Sequence, residues 1–504
     1  YEFVNIGQFA QNDPTRTDID PIVILPTGAF TIVDRGSYSY EMVVVDENND
    51  VYHTKPLNEN LYYYFNEGLN SITWIDLKGK DIICLNFKFD KNVIGSLKLL
   101  MSALLIQSVQ KQSMEQIIEK EKNNWDQYYL RQDNRMEEDE QEEYRKYGNE
   151  DNYLDVEEEQ YYPTKKPSLG GDIRDFVQGV TSNRAFVNRG DVVNVYKYDN
   201  NDQNFNYMTD LSAFEYNNEK LTPSKIQLQE QDSKLAFIDN NFKDRIYYYD
   251  VEKNKVVNEF NPEKNVKIRD ISIAGGKNAH LTNDPLILSV ADNEIYKLDP
   301  RTAKGVVQSK NYKTKLGFEK VLGVVNDNFV VGSQNGDIRM FNSVGGNAKN
   351  VIPSMFGDKI IQMDSSKDGN LLLLTFSKYL ALMPTLQNGK SAYGTTFRKD
   401  AKPKPLILRV DPKVLARNNM AEPHFVAAKF DFKKNNNESH IVAACGNILV
   451  TWELTKVLKG NLVARSYVRM EDRIVDGEFV FNQDNLLTAL PKDITINKAR
   501  MGTL

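Results

Sequence analysis

The side chains able to do chemistry are few and scattered. The 504 residues hold four histidines, His53, His280, His424 and His440, too widely spaced to form a ligand or acid–base motif, and no HExxH, CxxC or GxSxG occurs. Cys84 and Cys445 are the only cysteines, too few for a disulfide framework or a thiolate metal site, and they suit a reducing compartment. Asp364 and Asp368 are spaced as paired ligands could be, but they flank DSSKDG, which a hairpin turn explains more simply. Gly389-Lys390-Ser391 resembles the end of a phosphate loop, yet Pro384 stands where the first glycine of that motif must be. The expectation is therefore no catalytic residue, no metal and no cofactor.

One stretch keeps a phosphate site in view. Residues 331–350, VGSQNGDIRMFNSVGGNAKN, contain two glycine turns. A phosphate cradle would need a helix opening after Gly345-Gly346, whereas NAKNVIPSM follows, with Pro353 close behind. Asn335-Gly336 instead predicts a two-residue type I′ hairpin between FVVGS and DIRMF, because both central positions of that turn take positive φ.

The elements that position these residues fall into three zones. Residues 1–122 alternate short strands and turns: 21–25 and 29–34 about Pro26-Thr27-Gly28, 40–45 and 51–54 about Asp46 to Asp50, then LYYYF, SITWIDL and DIICLNFKF. The period then lengthens to 3.6, with Leu97, Met101, Leu104, Leu105 and Ser108 on one face that Met114, Ile117 and Ile118 extend. About seven strands closed by a C-terminal helix read as a pleckstrin-homology-like barrel. Its first hairpin supplies only Arg35 for phosphate, so phosphoinositide binding is disfavoured and protein docking favoured.

Residues 123–171 form an acidic, partly helical linker. Its segment 137–159 holds twelve acids against Arg145 and Lys146, a net of −10 within a chain total of −7, so the remainder is +3. Such a remainder offers no basic face for nucleic acid, and like charges at that density predict an exposed spacer. The apolar run 93–106 is broken by Ser96, Lys98 and Ser102 and is too short to span a bilayer.

Residues 172–497 have the texture of a repeat. RIYYYDVEKNKVV, EIYKLDPRTAKGVV and DIRMFNSVGGNAKNV each give a strand, an Asp or Asn, a polar turn and a return strand, placing Asp250, Asp299 and Asn342 in register. Their spacing is close to the roughly 40–45 residues of a WD-type blade. Seven such units fit, with a Lys- and Pro-rich insertion at about 385–425. The expected fold is mainly β: a pleckstrin-like domain, an acidic linker and a seven-bladed WD-type propeller.

The runs from Val331 to Met383, KNAHLTNDPLILSVADNEIYKLDPR, FVAAKFDF, HIVAACGNILVTWELTKVLKG and VDGEFVFNQDNLLTALPKDITI resemble the propeller of the vacuolar import and degradation protein 27 family over roughly 215–497. The resemblance implies a cytoplasmic protein with no established enzyme activity and no defined catalytic residues. Together these readings lead to a non-enzymatic interaction scaffold linked to vesicle trafficking or protein degradation, within a large complex, with other proteins as partners. One alternative is a structural docking subunit of a cytoskeletal or ciliary assembly. Another is an enzyme using the propeller channel, which acids, histidine or metal in that channel would favour. Candidate partner contacts on blade loops are Asp299, Arg301, Arg339, Lys349, Lys378 and Trp452, the last equally suited to blade packing.

Overall fold

The structure is a computed structural model that describes residues 3–12, 22–58, 61–121, 160–161, 170–263, 266–313, 317–354, 357–398, 401–433, 437–464, 466–481, 483 and 485–497. The acidic segment 137–159 lies outside them. The chain divides into two compact units, one of residues 1–155, 404–424 and 455–467, the other of 156–403, 425–454 and 468–504.

The first unit is built on a seven-stranded antiparallel sheet: β1 (Phe3–Asn12), β2 (Ile22–Gly36), β3 (Ser39–Val45), β4 (Val51–Leu57), β5 (Tyr63–Asn66), β6 (Ser71–Lys78) and β7 (Asp81–Phe89), in the order β4-β3-β2-β1-β7-β6-β5. Two sequence expectations change here. Strand β1 went unrecognised, and Pro26-Thr27-Gly28 does not turn the chain but lies inside the long β2. The proline is accommodated because the register with β1 slips between Gly7↔Gly28 and Phe9↔Leu25, a bulge where no ladder N–H is required.

Helix α1 (Ile94–Gln110) closes the sheet, burying Leu97, Met101 and Leu104 against Phe30, Trp74, Phe87 and Phe89. Each such side chain contributes about 1.5–3 kcal/mol when removed from water. The single long helix of the sequence reading is two. Lys111 adopts a left-handed conformation at φ 53° and ends α1. Ser113 then restarts the chain as α2 (Met114–Glu121): its Oγ accepts from Gln116 N at 3.3 Å while its N–H donates to Gln116 Oε1 at 3.1 Å, a reciprocal capping box.

Residues 404–424 and 455–467 complete this unit from far along the sequence. Tyr62 Oη donates to the Val410 carbonyl at 2.6 Å and accepts its N–H at 2.9 Å, and the Arg409 guanidinium lies 5.5 Å from the Tyr63 ring. The Lys- and Pro-rich insertion thus has a defined packing role. Asp411 caps its short helix Pro412–Arg417.

The second unit is a seven-bladed β-propeller. The blades begin at inner strands Asp175–Gln178, Pro223–Gln229, Asp270–Ile273, Phe318–Gly323, Gln362–Ser365, Phe425–Phe430 and Asp476–Phe479, numbered here as blades 1 to 7. Blade 7 takes its fourth strand from upstream of blade 1, because Gln160–Tyr161 pairs with Ile494–Asn497. The end of the unit is thereby tied to its beginning, which leaves no open seam between the last and first blades. Asp250, Asp299 and Asn342 close or directly follow the third strands of blades 2, 3 and 4, as their register in the sequence implies.

In the stretch 331–350, Gly336 has φ 81° whereas Asn335 is not left-handed, so the turn is not type I′. Gly336 N–H donates to the Ser333 carbonyl at 2.9 Å and Ser333 N–H to that of Asp337 at 2.9 Å, the longer loop with one left-handed glycine. The two-residue turn with both φ positive occurs at Asn388-Gly389 (φ 48° and 74°), inside the failed phosphate-loop motif. A Cβ on Gly336 would lie 2.1 Å from the Asp358 carbonyl oxygen, while one on Gly345 (φ 89°) would meet nothing within 4 Å. Gly336→Ala is accordingly expected to lower the unfolding free energy by roughly 3 kcal/mol and Gly345→Ala by only about 1 kcal/mol, read from denaturant midpoints.

Candidate functional site in the central channel

The inner strands of the blades surround a cavity of about 250 Å³. Their apolar side chains pack between blades, but each strand carries one to three polar groups that line the cavity. These groups first serve to join neighbouring blades. Asp175 of blade 1 accepts from Ile226 N of blade 2 at 3.2 Å, Asp270 of blade 3 from Val321 N of blade 4 at 3.0 Å, and Asp364 of blade 5 from Phe430 N of blade 6 at 2.8 Å. Ser272 and Gln362 make the same link at 3.0 and 3.1 Å. Inner strands do not form a ladder with the next blade, so a side-chain acceptor satisfies these N–H groups instead.

The ionic groups are mostly matched across blades. Lys225 pairs with Asp270, Lys277 with Asp364 at 2.8 Å, and Lys429 with Asp476 at 3.0 Å and Glu478 at 2.9 Å. Burial and the neighbouring Asp476 push the Asp175 carboxyl up to about 6, against the opposing pull of the Ile226 N–H, Lys225 and Lys429. Asp270 favours the charged form of Lys320, but burial together with Lys225 and Lys359 leaves its ammonium below the ordinary lysine value. Burial brings His280 down to about 4, so its imidazole is neutral near pH 7.

One segment reaches across the ring. The turn Lys277–Leu281, between the first two strands of blade 3, sends Lys277 to Asp364 of blade 5 and places its ammonium 5.3 Å from Phe430 and 5.7 Å from Phe432. Gln231 of blade 2 holds the same segment by donating to the Leu281 carbonyl at 3.2 Å. It lies on the face where first strands run into second strands, and it narrows the cavity there.

Residues 174–502 match the family described as VID27 C-terminal WD40-like domain. The chain belongs to the VID27 family. Two relatives named "Vacuolar import and degradation protein 27" are similar to it. The one from Schizosaccharomyces pombe is 30% identical over 331 residues, 63% of this chain and 41% of that protein. The one from Saccharomyces cerevisiae is 26% identical over 338 residues, 63% and 43% respectively. The match spans less than half the length of either relative. The β-propeller domain of Cps50 (Swd1) from Myceliophteria thermophila superposes with a TM-score of 0.50 at 11% identity, covering 68% of this chain and 100% of that one, a likeness of fold alone.

Within this VID27 propeller the sequence-derived contact candidates do not form one patch. Asp299 and Arg301 pair with each other at 2.7 Å after the third strand of blade 3, with the arginine exposed. Lys349 follows the third strand of blade 4, on the same face, with its N–H on the Met340 carbonyl. Arg339 is half-buried, 5.7 Å from the Phe318 ring and bonded to Ser333 Oγ. Lys378 follows the second strand of blade 5, which puts it on the opposite face. Trp452 is buried at 4% exposure beside Phe425 and packs the blade.

Gly345 and Gly346 act in the opposite sense to a phosphate cradle. Their carbonyls and Asn347 Oδ1 take the Lys310 ammonium of blade 3 at 2.8, 3.2 and 2.9 Å, so the loop binds a cation of its own fold. Asp364 and Asp368 are likewise separate. Asp364 lines the channel, whereas Asp368 is held in its turn by Ser366 and Asn370. Among the described residues, no group of three or more His, Cys, Asp or Glu is placed to hold a metal.

Sequence reasoning missed the channel charges. The available signal was an Asp opening short inner strands, the only charged residue of DFVQ and DISI and joined by Glu478 in DGEF. Two of these acids bond 51 residues onward, one blade along: Asp175 to Ile226 and Asp270 to Val321.

Proposed function

We propose that the chain is a non-enzymatic protein-interaction scaffold of the cytoplasm that serves vesicle trafficking or protein degradation. The observation that carries this reading is the pairing inside the channel. The channel does hold acids and a histidine, His280, the feature that would favour an enzyme. Asp270, Asp364, Asp476 and Glu478, however, are each tied to a lysine of a neighbouring element, so that among the described residues these four serve as structural pairs rather than as a nucleophile–base–orienter set. The relatives' name, "Vacuolar import and degradation protein 27", supports the pathway. In this reading residues 1–122 are a pleckstrin-like docking domain, 123–171 a linker and 172–497 the propeller. Arg35 of the β2–β3 hairpin donates to Glu41 at 2.7 and 2.9 Å, which further disfavours a phosphoinositide headgroup there. No helix among the described residues is long and apolar enough to cross a membrane.

The face bearing Arg301 and Lys349 is the proposed contact surface. Affinity isolation of the full chain from cells, with quantitative mass spectrometry, is expected to recover trafficking or degradation factors that an Arg301→Glu, Lys349→Glu variant loses. Recovery of tubulin-associated proteins would replace the pathway with a cytoskeletal or ciliary one. An identical set from both proteins would move the contact surface elsewhere.

A further inference from the structure

The channel contains two ionic groups that the pairing leaves over. Lys225, Lys277 and Lys429 each reach a carboxylate, and Asp270, Asp364, Asp476 and Glu478 each reach a lysine. Among the described residues, Asp175 has only the Ile226 N–H at 3.2 Å and Lys320 has neither a hydrogen bond nor an ion pair. Both line the same cavity. They belong to blades 1 and 4, nearly opposite in a ring of seven, and they do not bond to each other.

Their surroundings are mixed in sign. Beside Asp175 stands Asp476, opposed by Lys225 and Lys429. Around Lys320 lie Lys225 and Lys359, opposed by Asp270 and, more weakly, by Asp175 itself. Half-buried charges without partners are costly, and proteins ordinarily match them or use them for a ligand. Between Asp175 and Lys320 the wall is mixed, the paired ions alternating with apolar residues such as Met363, Phe479 and Phe481. A volume of about 250 Å³ falls just below the usual range of sites for drug-sized ligands and suits a smaller molecule.

We propose that the central channel is a binding site for a small zwitterion, a free amino acid or dipeptide, whose ammonium is taken by Asp175 and whose carboxylate is taken by Lys320. A ligand with both groups satisfies both leftover charges at once. One with a single charge would leave the other unpaired and is rejected for that reason. The site is independent of the scaffold reading and uses none of the loop residues assigned to partner proteins.

Thermal-shift and calorimetric titration of the purified full chain tests this, using a panel of α-amino acids, ω-amino acids of increasing length and dipeptides at millimolar concentration. At least one member is expected to raise the melting temperature. Its N-acetyl and C-amide derivatives, each lacking one charge, are expected to fail on the unaltered protein. Lys320→Gln and Asp175→Asn should each weaken binding about tenfold or more, the worth of one charge-assisted bond, while melting like the parent without ligand. Lys320 makes no hydrogen bond or ion pair that would be lost, only the longer-range attraction of Asp270, and the amide oxygen introduced by Asp175→Asn can still accept from Ile226 N, so both variants should fold. The proposal is overturned if no zwitterion shifts the melting temperature, if the blocked derivatives bind as well as their parents, or if both variants bind unchanged.

Discussion

Lys429→Met is expected to lower the unfolding free energy of the propeller by about 4 kcal/mol, the largest effect of any single substitution in the channel. Lys429 lies in the inner strand of blade 6, with its ammonium on Asp476 at 3.0 Å and Glu478 at 2.9 Å of blade 7, and 4.9 Å from the Phe176 ring of blade 1. It therefore bridges three blades at the point where the ring closes. Burial alone would lower its pKa, but the two carboxylates raise it above the ordinary lysine value. A lysine raised in this way contributes its full stabilisation at neutral pH and loses it only on titrating through that higher value. Methionine keeps the length of the stem and removes the charge, so the loss measures two carboxylates stranded away from water.

The pH dependence of this loss separates charge from packing. Burial already holds Glu478 above the usual carboxylate range despite Lys429, with Asp476 adding to the rise. Without Lys429 it would rise further. A carboxyl whose folded pKa exceeds its unfolded one costs stability above that pKa and recovers it as pH falls, because the neutral form is the one burial favours. The gap between Lys429→Met and the parent should thus narrow from about pH 8 to about pH 5 in urea titrations, and adding Glu478→Gln should narrow it at both. A gap of the same size at both pH values would assign the effect to lost packing.

The architecture was legible in the sequence because blade periodicity is local: a third strand, its Asp or Asn and a polar turn lie within about a dozen residues, so Asp250, Asp299 and Asn342 align without any knowledge of pairing. Turn type was less legible, since a loop's length depends on where its flanking strands pair. Asn335-Gly336 and Asn388-Gly389 share a dipeptide, yet only the second is the two-residue turn. Strand β1 was invisible for a related reason, as GQFAQN alternates poorly and is a strand only by pairing β2 and β7. The channel was least legible of all. Its ion pairs join residues separated by about one blade or more, as with the 45 residues between Lys225 and Asp270 and the 87 between Lys277 and Asp364, and they arise only when the ring closes.

Asp232→Ala should be the second most damaging change, at roughly 3 kcal/mol or more, because it empties an anion site that the protein fills itself. The first turn of blade 1 directs three successive N–H groups, from Val180, Thr181 and Ser182, toward one point, the concave arrangement that elsewhere receives phosphate. Here the Asp232 carboxylate of blade 2 occupies it, at 3.2, 2.8 and 2.8 Å, with Ser182 Oγ adding a fourth bond at 2.9 Å. Asp232 is 3% exposed, so water cannot readily replace it, and the carboxylate lies where a Cβ on Gly179 would intrude at 2.6 Å. The residue also sits at φ 67°, in a run of three left-handed residues with Glu230 and Gln231. Alanine loses the acceptor and adds about 1 kcal/mol of left-handed strain, whereas asparagine tolerates that conformation and retains one oxygen. Asp232→Asn should therefore lose about half as much as Asp232→Ala in urea midpoints, with the extra loss appearing as faster hydrogen exchange at Thr181 and Ser182. Equal losses for the two variants would mean that neither the retained oxygen nor the tolerance of left-handed backbone matters, so that the charge of the carboxylate is what holds blades 1 and 2 together.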